Sequence, residues 1–170
     1  MPPSAPLVVQ ARPLTAEDFA PYGSVARPGA GAVKAIRDGQ VRLSKSPAGF
    51  EHAAGAPRLA LDFYEVAATA PRLSAQQVER HPLSTQMFSP MRATRWLVAV
   101  WPDGPDGQVE AFVAGPEEVV TYDPGVWHHG VVALDSTATF TSLMFKTPDG
   151  QGDTEFAALP APVLIDWPAA

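Results

Sequence analysis

Short apolar blocks parted by turn residues run along most of the chain, and their spacing predicts strands. Arg95–Trp101 is a nearly unbroken apolar and aromatic run, the pattern of a strong strand. Pro102-Asp103-Gly104-Pro105-Asp106-Gly107 is dense turn chemistry, and Val109–Ala114 returns as a partner, which predicts a hairpin. Val119–Tyr122, Val131–Leu134 and Thr137–Phe145 continue the series, the last two parted by Asp135-Ser136. Upstream, Leu59–Val66 reads as a strand carrying acids at Asp62 and Glu65. Residues 27–57 are rich in Gly, Ala, Pro and Ser and predict short edge strands near Val33–Ile36 and Gln40–Leu43, or else a flap. One short helix is expected at Thr15–Ala20, with Thr15 as N-cap, acids in its first turn, and Pro21 and Gly23 to end it. The Pro- and Ala-rich tail after Thr147 is expected to pack loosely, with a short strand near Val163–Asp166.

Composition sharpens this picture. Nineteen prolines in 170 residues are roughly twice the usual 5%, and proline breaks helix interiors and central strands. Many short strands at near-regular spacing suggest a sandwich or closed barrel. The length suits a single domain spanning 1–170, with enough chain to bury a core. The net charge is −6 and no basic stripe is visible, which argues against nucleic acid and anionic membrane surfaces as partners. The chain has no cysteine, so disulfides, thiolate metal sites and a cysteine nucleophile are excluded. No apolar run approaches the roughly 20 residues of a membrane span, the N-terminal residues lack the pattern of a secretion signal, and a cytoplasmic location is expected.

The candidate chemistry lies in two histidine clusters, Glu79-Arg80-His81-Pro82-Leu83-Ser84-Thr85-Gln86 and Trp127-His128-His129. Glu79 and His81 are two apart, so on a strand they face the same way. Gln86 follows a Pro-containing bend and can return to the same pocket. Adjacent residues on a strand face opposite ways, so one of His128 and His129 enters the pocket, and His128 is the expected one. Carboxylate, imidazole and amide groups that converge in this way can bind a metal or move protons. The plainer reading of Glu79-Arg80 is an exposed pair, and that of Tyr122 and Trp127 is core packing.

The two clusters resemble the paired motifs of the cupins, with Glu79, His81 and Gln86 in the first and Pro124-Gly125-Val126-Trp127-His128 in the second. A closer resemblance is to the ureidoglycolate lyases. The run Glu79-Arg80-His81-Pro82, Thr85-Gln86, Phe88 and Pro90 is similar to that family's signature. Tyr122, Gly125, Trp127, His128 and His129 are similar to its later run, and Pro13–Gly23 to its opening. The resemblance implies a mainly-β, cupin-like antiparallel barrel or jelly roll with one or two short helices. It implies cleavage of (S)-ureidoglycolate to glyoxylate and urea, in allantoin and purine breakdown, by a homodimer. Within it, Glu79, His81 and His128 are the expected catalytic groups. Glu79, His81, Gln86 and His128 are the expected holders of a divalent ion such as nickel. Arg80, Arg92, Gln86 and Tyr122 are the expected substrate contacts. The chain departs from the family pattern at Gly130, at Met144-Phe145-Lys146 and at Arg37-Asp38-Gly39. Other readings of the same residues are a cupin isomerase or epimerase of a small hydroxy acid or sugar, and a non-catalytic small-ligand binder.

Overall fold

In the computed structural model, which describes residues 6–69 and 71–170, strands dominate. They are β1 (Leu7–Gln10), β2 (Arg12–Pro13), β3 (Gly23–Ala26), β4 (Val33–Ile36), β5 (Val41–Ser44), β6 (Arg58–Val66) and β7 (Leu73–Arg80). The second half supplies β8 (Gln86–Arg92), β9 (Arg95–Val100), β10 (Glu110–Ala114), β11 (Val119–Tyr122), β12 (Val132–Leu134), β13 (Ala138–Lys146) and β14 (Glu155–Asp166). The one helix among the described residues, α1 (Ala16–Phe19), is capped as its sequence predicts, with the Thr15 hydroxyl accepting from the Asp18 N–H at 3.1 Å.

Two sheets face each other. One has the order β3-β11-β8-β13-β6 and the other β12-β9-β10-β2. Between them lies an aromatic core that includes Phe88, Trp96, Phe112 and Phe140. Strand β9 explains its own apolar run. Trp96, Val98 and Val100 enter this core, while Leu97 and Ala99 turn to a second core under the sheet β1-β14-β7. A strand buried on both faces has no polar side, so the alternation seen in half-buried strands is lost.

The mainly-β expectation holds, but the sheets are not closed into a barrel. Edge strand β6 pairs with β13 alone among the described residues. Its outward face leaves Leu59, Leu61 and Phe63 more than half exposed. The tail also differs from expectation, because it forms a 12-residue strand rather than a loose end. Strand β14 pairs parallel with β1 and antiparallel with β7. Its ladder to β7 breaks between Ala158 and Val163, where Pro160 and Pro162 have no N–H to donate. Leu159, Val163 and Ile165 bury on the core side and hold the strand down despite that gap.

Candidate active site

Strand β7 ends at the site. Its alternation places Glu79 and His81 on one face and turns Arg80 to the other. Segment 127–129 lies between β7 and β9. The Glu79 N–H donates to the His128 carbonyl and the His128 N–H to the Glu79 carbonyl, both at 2.8 Å, and the His129 N–H reaches Ala99 O at 3.0 Å. The preceding turn uses Pro124 and a Gly125 at φ +81°, the left-handed position where glycine is favoured. Gly125 N–H donates to the His81 carbonyl at 2.9 Å and ties that turn to the first cluster. Two segments far apart in sequence thus meet through backbone bonds, and their side chains have little freedom to drift.

His128 is 1% exposed and fully fixed. Its Nδ1 lies 2.9 Å from the Val126 carbonyl and donates to it. Its ring stacks on Tyr122 with centroids 4.1 Å apart. Its Nε2 then faces Gln86 Oε1 at 3.1 Å and Glu79 Oε1 at 3.5 Å. His81 is held from behind. Its Nδ1 lies 3.3 Å from Thr154 Oγ1 and 3.6 Å from Asp153 Oδ1. The other Asp153 oxygen accepts the Leu83 N–H. His81 Nε2 is buried with no hydrogen-bond partner, although Glu79 Oε1 is 4.0 Å away.

Electrostatics separates these groups. Burial works to raise the Glu79 pKa, but hydrogen bonding and attraction from His128, with His81 and His129 adding, hold it below the usual carboxylate value. Burial, reinforced by His128, pushes His81 down, against the opposing pull of Glu79 and Asp153. The site therefore presents an ionised carboxylate beside a neutral imidazole whose free nitrogen looks inward.

These groups face a cavity of about 230 Å³ between the ends of β6, β7, β8 and β13. Glu79, His81 and Gln86 line it together with Asp62, Tyr64 and Lys146. His128 does not line it and stands behind Glu79 and Gln86. Glu79 also borders a second recess of about 360 Å³ with His129 and Gly130. A side chain at Gly130 would begin 4.0 Å from Glu79 Oε1, so that departure from the family pattern leaves open space beside the carboxylate.

Not every expected contact is brought in. Arg80 pairs with Glu155 at 2.7 Å and lies over the Trp127 ring at 4.7 Å, outside the cavity. The same alternation that aims Glu79 and His81 inward explains this. Arg92 ends β8 beside Thr139, away from the lining residues. Tyr122 supports His128 from the core and does not reach the cavity. Thr85 ties down Glu51 through its hydroxyl. The groups that sequence reasoning missed are Asp153, Thr154, Asp62 and Lys146. Lys146 had a readable signal, since Ser142, Met144 and Lys146 alternate on β13 and share one face. Asp153 and Thr154 had none, being 70 or more residues from the histidine they touch.

Glu79, His81 and His128 offer ligand atoms within 4.8 Å of one another, and the orphaned His81 Nε2 points among them. Two imidazoles and a carboxylate fit a borderline divalent ion. A carboxylate, an imidazole and an ammonium around a small cavity, with a second imidazole behind the carboxylate, form a set that can move protons. Comparison with known proteins makes this specific. The ureidoglycolate lyase family model matches residues 6–166. A relative from Agrobacterium fabrum that carries the family's name is 36% identical over 163 residues, covering 93% of this chain and 94% of that one. The ureidoglycolate lyase of Stutzerimonas stutzeri is 34% identical over 157 residues, covering 91% and 92%. That of Rhizobium etli (strain ATCC 51251) is 30% identical over 167 residues, covering 96% and 99%. The chain belongs to the ureidoglycolate lyase family. It also superposes on a dTDP sugar isomerase from Desulfovibrio desulfuricans G20 with TM-score 0.45 and 20% identity, over 83% of this chain and 88% of that one.

Proposed function

We infer that this protein cleaves (S)-ureidoglycolate to glyoxylate and urea. The observation that carries the reading is Glu79 at the cavity wall, with His81 beside it and His128 behind it. The substrate carries a carboxylate, a hydroxyl and a urea nitrogen on one carbon. The hydroxyl proton must leave as the C–N bond breaks, and the urea nitrogen must gain a proton. The C–O bond becomes the aldehyde carbonyl and no water is consumed. Glu79 takes the hydroxyl proton and returns it to the departing nitrogen. His128, locked by Val126, holds the Glu79 carboxylate in place through Nε2. Gln86 and the bare His81 Nε2 stand beside the reacting carbon to accept or orient polar hydrogens. A divalent ion, nickel or similar, would be held by Glu79, His81 and His128, with Gln86 as a weak fourth donor, and would supply acidification of the hydroxyl.

The reading includes one domain over the whole chain, a place in allantoin and purine breakdown, and a cytoplasmic setting. It also includes a homodimer, which the exposed apolar row Leu59, Leu61 and Phe63 on edge strand β6 supports. Among the described residues no helix is long and apolar enough to cross a membrane. The test is product analysis by proton NMR and colorimetry on (S)-ureidoglycolate, with metal-replete and chelated protein. Glyoxylate and urea in equal amounts are expected. Ammonia in place of urea would make the protein a hydrolase, and an isomer of the intact ligand would make it an isomerase.

A further inference from the structure

We propose that Lys146 is the residue that binds the substrate's carboxylate, an inference that rests on the lyase reading above. A carboxylate entering this cavity meets the carboxyl groups of Glu79 and Asp62. Two like charges in a partly dry cavity repel strongly unless a cation lies between them. The two arginines that the sequence offers for this task face elsewhere. Lys146 is the one lysine or arginine among the residues lining this cavity.

Its placement suits the role. Lys146 ends β13, and its side chain lies on the face of the sheet shared by Ser142 and Met144. The ammonium reaches Asp62 on the neighbouring strand at 2.5 Å. Lys146 is 22% exposed and Asp62 42%, so the pair stands at the open side of the cavity. Glu79 and His81 line the same cavity. A substrate whose carboxylate meets Lys146 is thereby held in the cavity that Glu79 lines. A lysine is a compact charge on a flexible stem. It can leave a half-exposed aspartate for an incoming carboxylate, because such exposed pairs are weak. The Met144-Phe145-Lys146 departure from the family pattern places a cation at the cavity.

The test uses the full chain and two readouts, turnover of (S)-ureidoglycolate and calorimetric binding of glyoxylate, with Lys146→Met and Lys146→Arg. Loss of one charged contact to a carboxylate is expected to raise KM and weaken glyoxylate binding together, about 10- to 100-fold, in Lys146→Met. Lys146→Arg should recover most of both, and inhibition by neutral urea should not change. A folded Lys146→Met protein with wild-type KM and wild-type glyoxylate affinity overturns the proposal while leaving the lyase reading intact. Lysine-dependent glyoxylate binding by a wild-type protein that does not cleave ureidoglycolate upholds the anchor and overturns the lyase. If the wild type neither cleaves ureidoglycolate nor binds glyoxylate, both are overturned.

Discussion

Replacing His128 with alanine removes the group that fixes the rest of the site, and the structure sets the size of the effect. The ring is 1% exposed, so its loss leaves a hole that cannot fill easily. Truncating a buried side chain of this size costs about 2–5 kcal/mol. The Val126 carbonyl loses its 2.9 Å donor, and an unpaired buried polar group costs about 1–3 kcal/mol. The stack on Tyr122, at 4.1 Å, is worth about 0.5–1.5 kcal/mol. These contributions overlap, and their sum is taken as about 3–5 kcal/mol. For a chain of this size each kcal/mol lowers Tm by about 2–4 °C, so a fall of roughly 6–20 °C is expected. The alanine variant is therefore expected to be inactive and also weakened. His128→Asn separates the two effects. Its amide nitrogen can still donate to Val126, so part of the lost Tm should return, while the support for Glu79 does not. Scanning calorimetry and product release on the three proteins make the comparison. Wild-type Tm in the alanine variant, or full turnover in the asparagine variant, would refute this reasoning.

Other outcomes follow from the same geometry. Asp153→Asn keeps an acceptor for the Leu83 N–H but weakens the hold on His81 Nδ1; kcat should fall about 10- to 100-fold with little change in KM, and an unchanged kcat would remove Asp153 from the site. Arg80→Ala should leave KM within about twofold and cost about 1 kcal/mol, because its ion pair and its contact with Trp127 are half-exposed; a large rise in KM would put Arg80 back in the cavity. Hydrogen bonds from Arg95 and Arg72 lower the pKa values of Asp135 and Asp166 in the folded chain. Their stabilisation is present above the unfolded aspartate pKa, near 3.9, and is lost as pH falls through the lower folded values. Tm should therefore drop on acidification below about pH 4, and Arg95→Gln should flatten that drop; an equally steep drop in the variant would contradict the assignment.

What the sequence made legible depended on the range of the forces involved. The apolar run of β9, the turn-flanked β10 and the capped α1 are local patterns, and they formed where expected. Glu79 and His81 were readable because a strand's period of two is fixed by backbone geometry. The same rule argues against Arg80 as a cavity residue, since it sits between them. Strand β14 was legible only at its end, near Val163–Asp166, because Pro160 and Pro162 mask a longer strand that survives on long-range pairing with β1 and β7 and on the burial of Ile165. Asp153 and Lys146 acquire their meaning only when β13 and β14 bring them to β6 and β7. Contacts between distant segments leave no periodicity in the chain.

The central claim is that the Glu79 carboxylate in this cavity carries out cleavage of ureidoglycolate. The direct measurement is the rate of glyoxylate and urea release by wild-type protein and by Glu79→Gln, each checked for a folded state by circular dichroism. The account predicts equal release of both products by the wild type and a rate lower by about 100-fold or more in the folded variant. No release by the wild type, or an undiminished rate in Glu79→Gln, would contradict it.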